Sequence, residues 1–232
     1  MHGIDDSASE LKEDGRLLRG EATREKVLNA AERLFGEHGF DGVSIRQIAK
    51  EAGVTLGVVG FHGGAKFDLF QTVLRRRVNK LTAERDRRLA DLQSGDAPPT
   101  LKALMDAYIS PYVEVASADD PQWRAYARLI ATCVSDDRWY PSVGELYDPM
   151  ARKYLAAIAA LHPDIDRDKL ATAFVLSVAA MLSIVASRIR IAALSERNGR
   201  DGRAPAAALA YRDVLVDFCA GGIDAAILSE RD

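Results

Sequence analysis

The run Gly60-Phe61-His62-Gly63-Gly64-Ala65-Lys66 comes nearest to a chemical motif, with a lysine at the end of a glycine-rich stretch. Such loops cradle phosphates, because bare backbone N–H groups approach the anion and the ammonium neutralises it. The pattern here is incomplete. No glycine directly precedes Lys66, no serine or threonine follows it, and no strand leads in. Elsewhere no Ser/His/Asp set or paired-carboxylate signature stands out, so catalysis is discounted. The four histidines, His2, His38, His62 and His162, never pair at metal-ligand spacing. Cys133 and Cys219 lie far apart, and with no sign of export they are expected as free buried thiols. No enzyme activity, metal or cofactor is expected.

Charge points towards a different chemistry. The 232-residue chain carries 31 Lys/Arg against 34 Asp/Glu, a net of −3. From Arg16 to Ala90 there are 15 Lys/Arg against 9 Asp/Glu, which leaves 16 against 25 in the remainder. A basic N-terminal third on an acidic body suits a polyanion, although solvated helix faces give the same count. The start, MHGIDDSASELKEDG, is polar and has no apolar signal region. No uninterrupted apolar run approaches a bilayer span. A cytoplasmic location and no membrane partner are expected.

The elements that must position these residues read as helices throughout. Thr23 to His38 puts Val27, Ala30, Ala31, Leu34 and Phe35 on one face, with Thr23 as N-cap and Gly39 as stop. After Phe40-Asp41-Gly42-Val43, the stretch Ser44-Ile45-Arg46-Gln47 has the form of a capping box. That helix runs to about Ala52, Gly53 ends it, and Thr55 can cap a short third helix. Two short helices joined by a tight glycine turn make a helix-turn-helix. A long helix from Lys66 to about Gln93 carries Phe67, Phe70, Leu74, Val78 and Leu81.

Further helices are expected over Leu101–Val115, from Asp119-Asp120-Pro121 to about Val134, and over Pro141–Leu161. Two more are expected at Asp166–Leu194 and Pro205–Leu228. Pro111 and Pro149 should kink the helices that contain them. The fold class is all-α. A three-helix N-terminal unit is joined by a long fourth helix to a larger helical unit. The divisions are a disordered arm at 1–20, a helix-turn-helix at 21–68 and a helical domain at 69–232.

The stretch TREKVLNAAERLFGEHGFDGVSIRQIAKEAGV, followed by a short helix, His62, a glycine turn, Lys66 and Leu69, resembles the DNA-binding domain of the tetracycline-repressor (TetR) family. The resemblance covers about a quarter of the chain strongly. It implies a ligand-responsive transcriptional regulator, a repressor that leaves its operator when a small molecule binds the C-terminal domain. Ser44, Arg46, Thr55, Leu56, Gly60, Phe61, His62 and Lys66 fall on its DNA-facing positions. In a helix-turn-helix the second helix enters the major groove, so Thr55 to His62 would face the bases. Lys66 would neutralise a phosphate. Ser44 could equally be only a cap, and Phe61 could be packed inside. An arm carrying Arg16, Arg19 and Arg24 could enter the minor groove.

Four positions depart from the family pattern. Leu56 replaces a polar or basic residue, Gly60 a tyrosine, Gly63 a phenylalanine and Ala65 a capping serine. They keep a second reading open: a helical small-molecule-binding protein of the same fold with weakened or lost operator binding. Two internal glycines, Gly57 and Gly60, and the missing cap predict a recognition helix weakly formed without DNA. Each costs roughly 1 kcal/mol relative to alanine. Close backbone approach to DNA explains them, and so does relaxed selection on the reading head.

The resemblance also implies a palindromic double-stranded DNA operator and a homodimer through the last two long helices. There Ala171, Ala179, Ser183 and Ala186 would permit close approach, and Leu215, Phe218 and Ile223 would supply apolar area. An unknown small-molecule effector would enter an apolar pocket with a few polar groups. Candidate lining residues are Tyr108, Tyr112, Trp123, Tyr126, Trp139, Tyr147, Met150 and Met181, each of which could instead be ordinary core. Arg128 and Arg188 could pair an anionic ligand or an acidic side chain.

Overall fold

The computed structural model describes residues 5–117, 120–195 and 208–228. Among them every regular element is helical. The helices are α1 (Asp5–His38), α2 (Ile45–Ala52), α3 (Leu56–Gly63), α4 (Lys66–Gln93) and α5 (Leu101–Ser117). They continue as α6 (Pro121–Cys133), α7 (Tyr140–Leu161), α8 (Arg167–Ala186), α9 (Arg188–Leu194) and α10 (Arg212–Leu228). The chain divides into two compact units, Met1–Leu74 and Arg75–Asp232, and the boundary falls inside α4.

In the first unit, α1 ends at Gly39, whose φ of 68° is open to glycine without strain. Val27, Leu28, Ala31 and Phe35 of α1 are buried with Ile48 and Ala49 of α2, Val59 of α3, and Leu69, Phe70, Val73 and Leu74 of α4. Phe70 meets Phe35 and Phe40 edge-on, with ring centroids at 5.4 and 5.0 Å. The capping box at the start of α2 is complete. The Gln47 amide N–H donates to Ser44 Oγ at 3.3 Å, and the Ser44 amide donates to Gln47 Oε1 at 2.7 Å. Gly53 ends α2 in the left-handed conformation, and Val54 N–H returns to the Ala49 carbonyl at 3.0 Å.

Three expectations for this unit need correction. The N-terminal segment is not a disordered arm. Residues 1–4 lie outside the described residues, and α1 starts at Asp5 and contains Arg16, Arg19 and Arg24. No proline interrupts this run, and it is rich in helix formers. Thr23 is therefore not an N-cap, and its hydroxyl donates to the Arg19 carbonyl one turn back. Phe67 does not belong to the buried stripe of α4. It is 44% exposed, edge-on to Phe40, and Leu69 takes the buried place.

In the second unit, α8 packs against α10, α5, α6 and α7, and α10 packs against α5. Met105, Ile109 and Val113 of α5 join Tyr126 and Ile130 of α6, Ile158 of α7, Phe174 of α8 and Val216 of α10 in the core. Asp120 caps α6 by accepting from the Gln122 amide at 2.8 Å. Asp119 lies outside the described residues. The helix expected over Asp166–Leu194 is interrupted at Ser187, which separates α8 from α9. Pro205 also lies outside the described residues, and a 3₁₀ turn at Ala208–Tyr211 precedes α10. By length and composition, Arg167–Val185 is long and apolar enough to cross a membrane, which the sequence reading did not anticipate.

Both cysteines are free and buried. Burial pushes the Cys133 thiol up to about 12, and it raises Cys219 as well. The thiolate is the reactive form, so neither side chain should attack a disulfide reagent at neutral pH. Ellman's reagent is expected to leave both thiols unmodified on the native protein. Both should react once a denaturant unfolds the chain.

Candidate functional site

The turn from α2 to α3 leaves one helix face uncovered. Thr55 occupies the N-cap position of α3 with extended backbone, and its side chain makes no capping hydrogen bond. Inside the helix only Val59 and Gly63 are buried. The outward face holds Leu56, 50% exposed, Gly57, Gly60, and Phe61, 85% exposed. Phe61 is therefore not packed inside. The half-buried His62 ring lies 4.9 Å from the Phe61 ring.

The glycines separate by role. Gly53 and Gly64 have φ of 66° and 68°, which a side chain adopts only with strain. Gly63 lies against α4, where an added Cβ would sit 2.9 Å from Leu69 Cδ1. At Gly57 and Gly60 an added Cβ would meet nothing within 4 Å. Nothing among the described residues requires glycine at either place.

Cationic groups flank this face. Arg46 is exposed at the start of α2. The Lys66 ammonium lies 4.2 Å from the centre of the Phe40 ring, at the start of α4. With alanine at position 65 only the reciprocal half of a capping box is made, in which Asp68 Oδ2 accepts the Ala65 amide at 3.0 Å. Ser44 Oγ is engaged with Gln47 in the capping box. The eight positions expected to face DNA thus lie on α2 and α3, on their N-cap residues Ser44 and Thr55, and on the first turn of α4, in one unit.

The second unit holds a cavity of about 450 Å³ that is partly open to solvent. Tyr108, Tyr112, Tyr126, Tyr147 and Met181 line it. Trp123, Arg128, Trp139 and Met150 do not, which corrects their expected pocket role. Trp123 is covered by the Arg77 guanidinium at 4.6 Å, and Trp139 by Arg138 at 4.8 Å. Met150 is buried off the cavity, and Arg128 is exposed on α6. Leu81, Arg85, Val143, Leu155 and Phe174 complete much of the wall and were missed. For Arg85 a signal existed. It falls in the apolar stripe of α4, between Val78, Leu81 and Leu89, where a charge has no solvent to reach.

Exposed apolar side chains also mark α8 and α10: Val175 and Leu176 at 65%, Val214 at 72% and Phe218 at 69%. Leu215 and Ile223, expected at an interface, are 4% and 0% exposed and belong to the core. Ala171, Ala179 and Ser183 are exposed on α8. The Ala186 side chain lies outside the described residues.

A helix-turn-helix unit with a free second helix, together with a helical unit that holds a cavity, is the plan of a ligand-sensing regulator. Residues 27–73 match the family described as bacterial regulatory proteins, tetR family. Residues 106–222, half of the chain, match the tetracyclin repressor-like C-terminal domain. The chain belongs to the TetR family of DNA-binding transcription regulators. It is 34% identical over 91 residues to the HTH-type transcriptional regulator SrpR of Pseudomonas putida. That match spans 39% of this chain and 42% of SrpR. The fatty acid degradation regulator FadR of Bacillus halodurans shares the fold, with a TM-score of 0.61 and 12% identity over 86% of this chain and 95% of FadR. FadR of Bacillus subtilis, solved with stearoyl-CoA, has a TM-score of 0.52 and 15% identity over 85% of this chain and 98% of that one.

Gly57→Ala and Gly60→Ala add a methyl group to open space on a helix and remove backbone freedom from the unfolded chain. Each is expected to raise the unfolding free energy by up to about 1 kcal/mol, read from denaturant melts. In the wild type, α3 amides are expected to exchange faster than those of Thr23–Phe35. Equal protection of the two segments would show that α3 is firmly formed without DNA.

Proposed function

We propose that this protein is a cytoplasmic transcriptional repressor that binds a palindromic operator as a homodimer and leaves it when a small molecule fills the cavity of the second unit. The observation that carries this reading is the bare outward face of α3, held between the capped start of α2 and Lys66. A helix presented in this way fits the major groove. Lys66, Arg46 and the exposed N-terminus of α2 at Ser44 serve as phosphate contacts, which position the helix. The Thr55 hydroxyl and His62 supply the polar base-edge contacts. Leu56 and Phe61 supply apolar contacts that suit thymine methyl groups. Gly57 and Gly60 let the helix backbone come close to the bases.

The exposed apolar residues of α8 and α10 support a dimer through these helices. A two-fold pair of reading heads then matches a two-fold operator. The same pairing offers an aqueous role for α8, whose length and composition would also suit a membrane. A cavity of this size and lining is typical for a small organic effector.

The deciding experiment is a protection assay on DNA upstream of the gene and its neighbours. A short protected palindrome, released by a small molecule, supports the reading. Salt-insensitive or sequence-indifferent binding would favour a small-molecule-binding protein that has lost its operator. Lys66→Ala is expected to weaken binding to all sequences alike and to reduce the salt slope by about 1. Replacing operator thymines by deoxyuridine removes only methyl groups. The expected loss is about fourfold per contacted base, from about 0.8 kcal/mol per buried carbon, and Phe61→Ala should abolish that loss at the thymines that Phe61 contacts. Gly57→Ala and Gly60→Ala should weaken the operator complex while stabilising the fold.

A further inference from the structure

Arg85 is 3% exposed and lies on the wall of the cavity. Its Nε donates to the Tyr108 carbonyl at 2.8 Å, one Nη is 3.7 Å from the Met181 sulfur, and its guanidinium carbon lies 3.9 Å from the centre of the Tyr108 ring. A guanidinium keeps its charge and carries five N–H donors in a planar fork. Neither of these acceptors is an anion. The carboxylates nearby are paired elsewhere. Glu84 bridges Arg87 and Arg88, Glu114 pairs with Arg88, and Asp86 pairs with Lys153. Hydrogen bonds from Arg87 and Arg88 hold the Glu84 carboxyl down to about 2. Asp148, which also lines the cavity, pairs with Arg152 and accepts from the Tyr140 hydroxyl.

A second group is unsatisfied at the same place. The Tyr112 hydroxyl is buried and has no hydrogen-bond partner among the described residues. Tyr126 and Tyr147 hydrogen-bond to each other through their hydroxyls. The Arg85 charge acts on the Tyr112 and Tyr147 hydroxyls and opposes the rise that burial imposes on them. The rest of the lining is largely aliphatic and aromatic, with Leu81, Ile130, Val143, Leu155 and Phe174 among it. Buried polar groups in folded proteins find partners, and buried charges find opposite charges. A buried cation and a buried unpaired hydroxyl on one apolar cavity both lack the same thing, an anion with an apolar body.

We propose that the cavity takes an amphipathic organic carboxylate, with Arg85 pairing its carboxylate, Tyr112 donating to it, and the aliphatic wall holding its chain or ring. Arg85 then acts as the residue that discriminates acids from neutral compounds of the same shape. Charge-assisted, forked contacts of this kind are the strong ones. This inference rests on the proposed role of the cavity as effector site and names the chemical class of its occupant.

The test measures binding to the full-length protein by calorimetry, using decanoate and 4-butylbenzoate, each against its primary amide. At least one acid is expected to bind tenfold or more tightly than its amide. Arg85→Gln should erase that preference, Arg85→Lys should keep part of it, and Tyr112→Phe should reduce it. Equal affinity of acid and amide for the wild type, or binding of neither acid, overturns the proposal. This comparison needs no variant, so it decides the matter even if Arg85→Gln fails to fold. Operator protection is measured on the same preparation. Acid preference without a protected operator would support the anion site and remove the regulatory reading. A protected operator without acid preference would do the reverse.

Discussion

An eight-residue helix does not hold its shape in water by itself, because nucleation costs more than so few hydrogen bonds return. Helix α3 depends on being pinned. It buries only Val59 and Gly63, packs against α1 and α2, and rests on Leu69 at its end. The remainder of the first unit follows from that thin attachment. The capping box at Ser44 and the left-handed Gly53 set where α3 begins, and Gly63 and Gly64 set where it stops. Because so little of α3 is used for packing, nearly its whole outer face is left free. The weakness of the attachment and the availability of the face have one cause.

The second unit resolves a different conflict. Its helices bury several tyrosines and one arginine around a cavity, where each polar atom costs free energy unless it is satisfied. Most of these costs are met internally. Tyr154 donates to the Arg85 carbonyl at 2.9 Å, and Arg85 in turn holds the Tyr108 carbonyl one helix away. The network links α4, α5 and α7 through single hydrogen bonds. It fixes the Arg85 side chain before any ligand arrives, and pre-positioned groups lose less entropy on binding. What the network leaves unsatisfied faces the cavity.

Much of the first unit was legible in the sequence, because its signals are local. The Ser44 and Gln47 spacing, Gly39 and Gly53 each act within one turn of helix. The start of α1 was not legible. Thr23 looks like a cap, but helix formers without a proline carry the helix back to Asp5. The second unit was legible only as a set of helices. An apolar residue on a stripe does not reveal whether it meets its own protomer, a partner or a cavity. Leu215 and Phe218 both read as interface candidates, yet one is buried and the other 69% exposed. Trp123, Trp139 and Met150 were plausible cavity residues by type, and packing placed them elsewhere. Arg85 was overlooked although its position in an apolar stripe was visible.

The apolar outer face of α3 constrains what a reading head built on it can distinguish. A bidentate pair between a side chain and a base edge separates the right base from the wrong one by about 1–3 kcal/mol. None of Leu56, Gly57, Gly60 or Phe61 can form such a pair. Seating one methyl group against Phe61 is worth about 0.8 kcal/mol. On this reading each apolar contact discriminates less than a polar one, and Thr55 and His62 alone offer hydrogen bonds. Specificity must then come from summing small terms over two half-sites and from the cost of shaping the DNA to fit. Glycines suit that arrangement. By removing side chains between helix and bases, Gly57 and Gly60 give up possible contacts and gain proximity, which makes groove width and methyl position the quantities that are read.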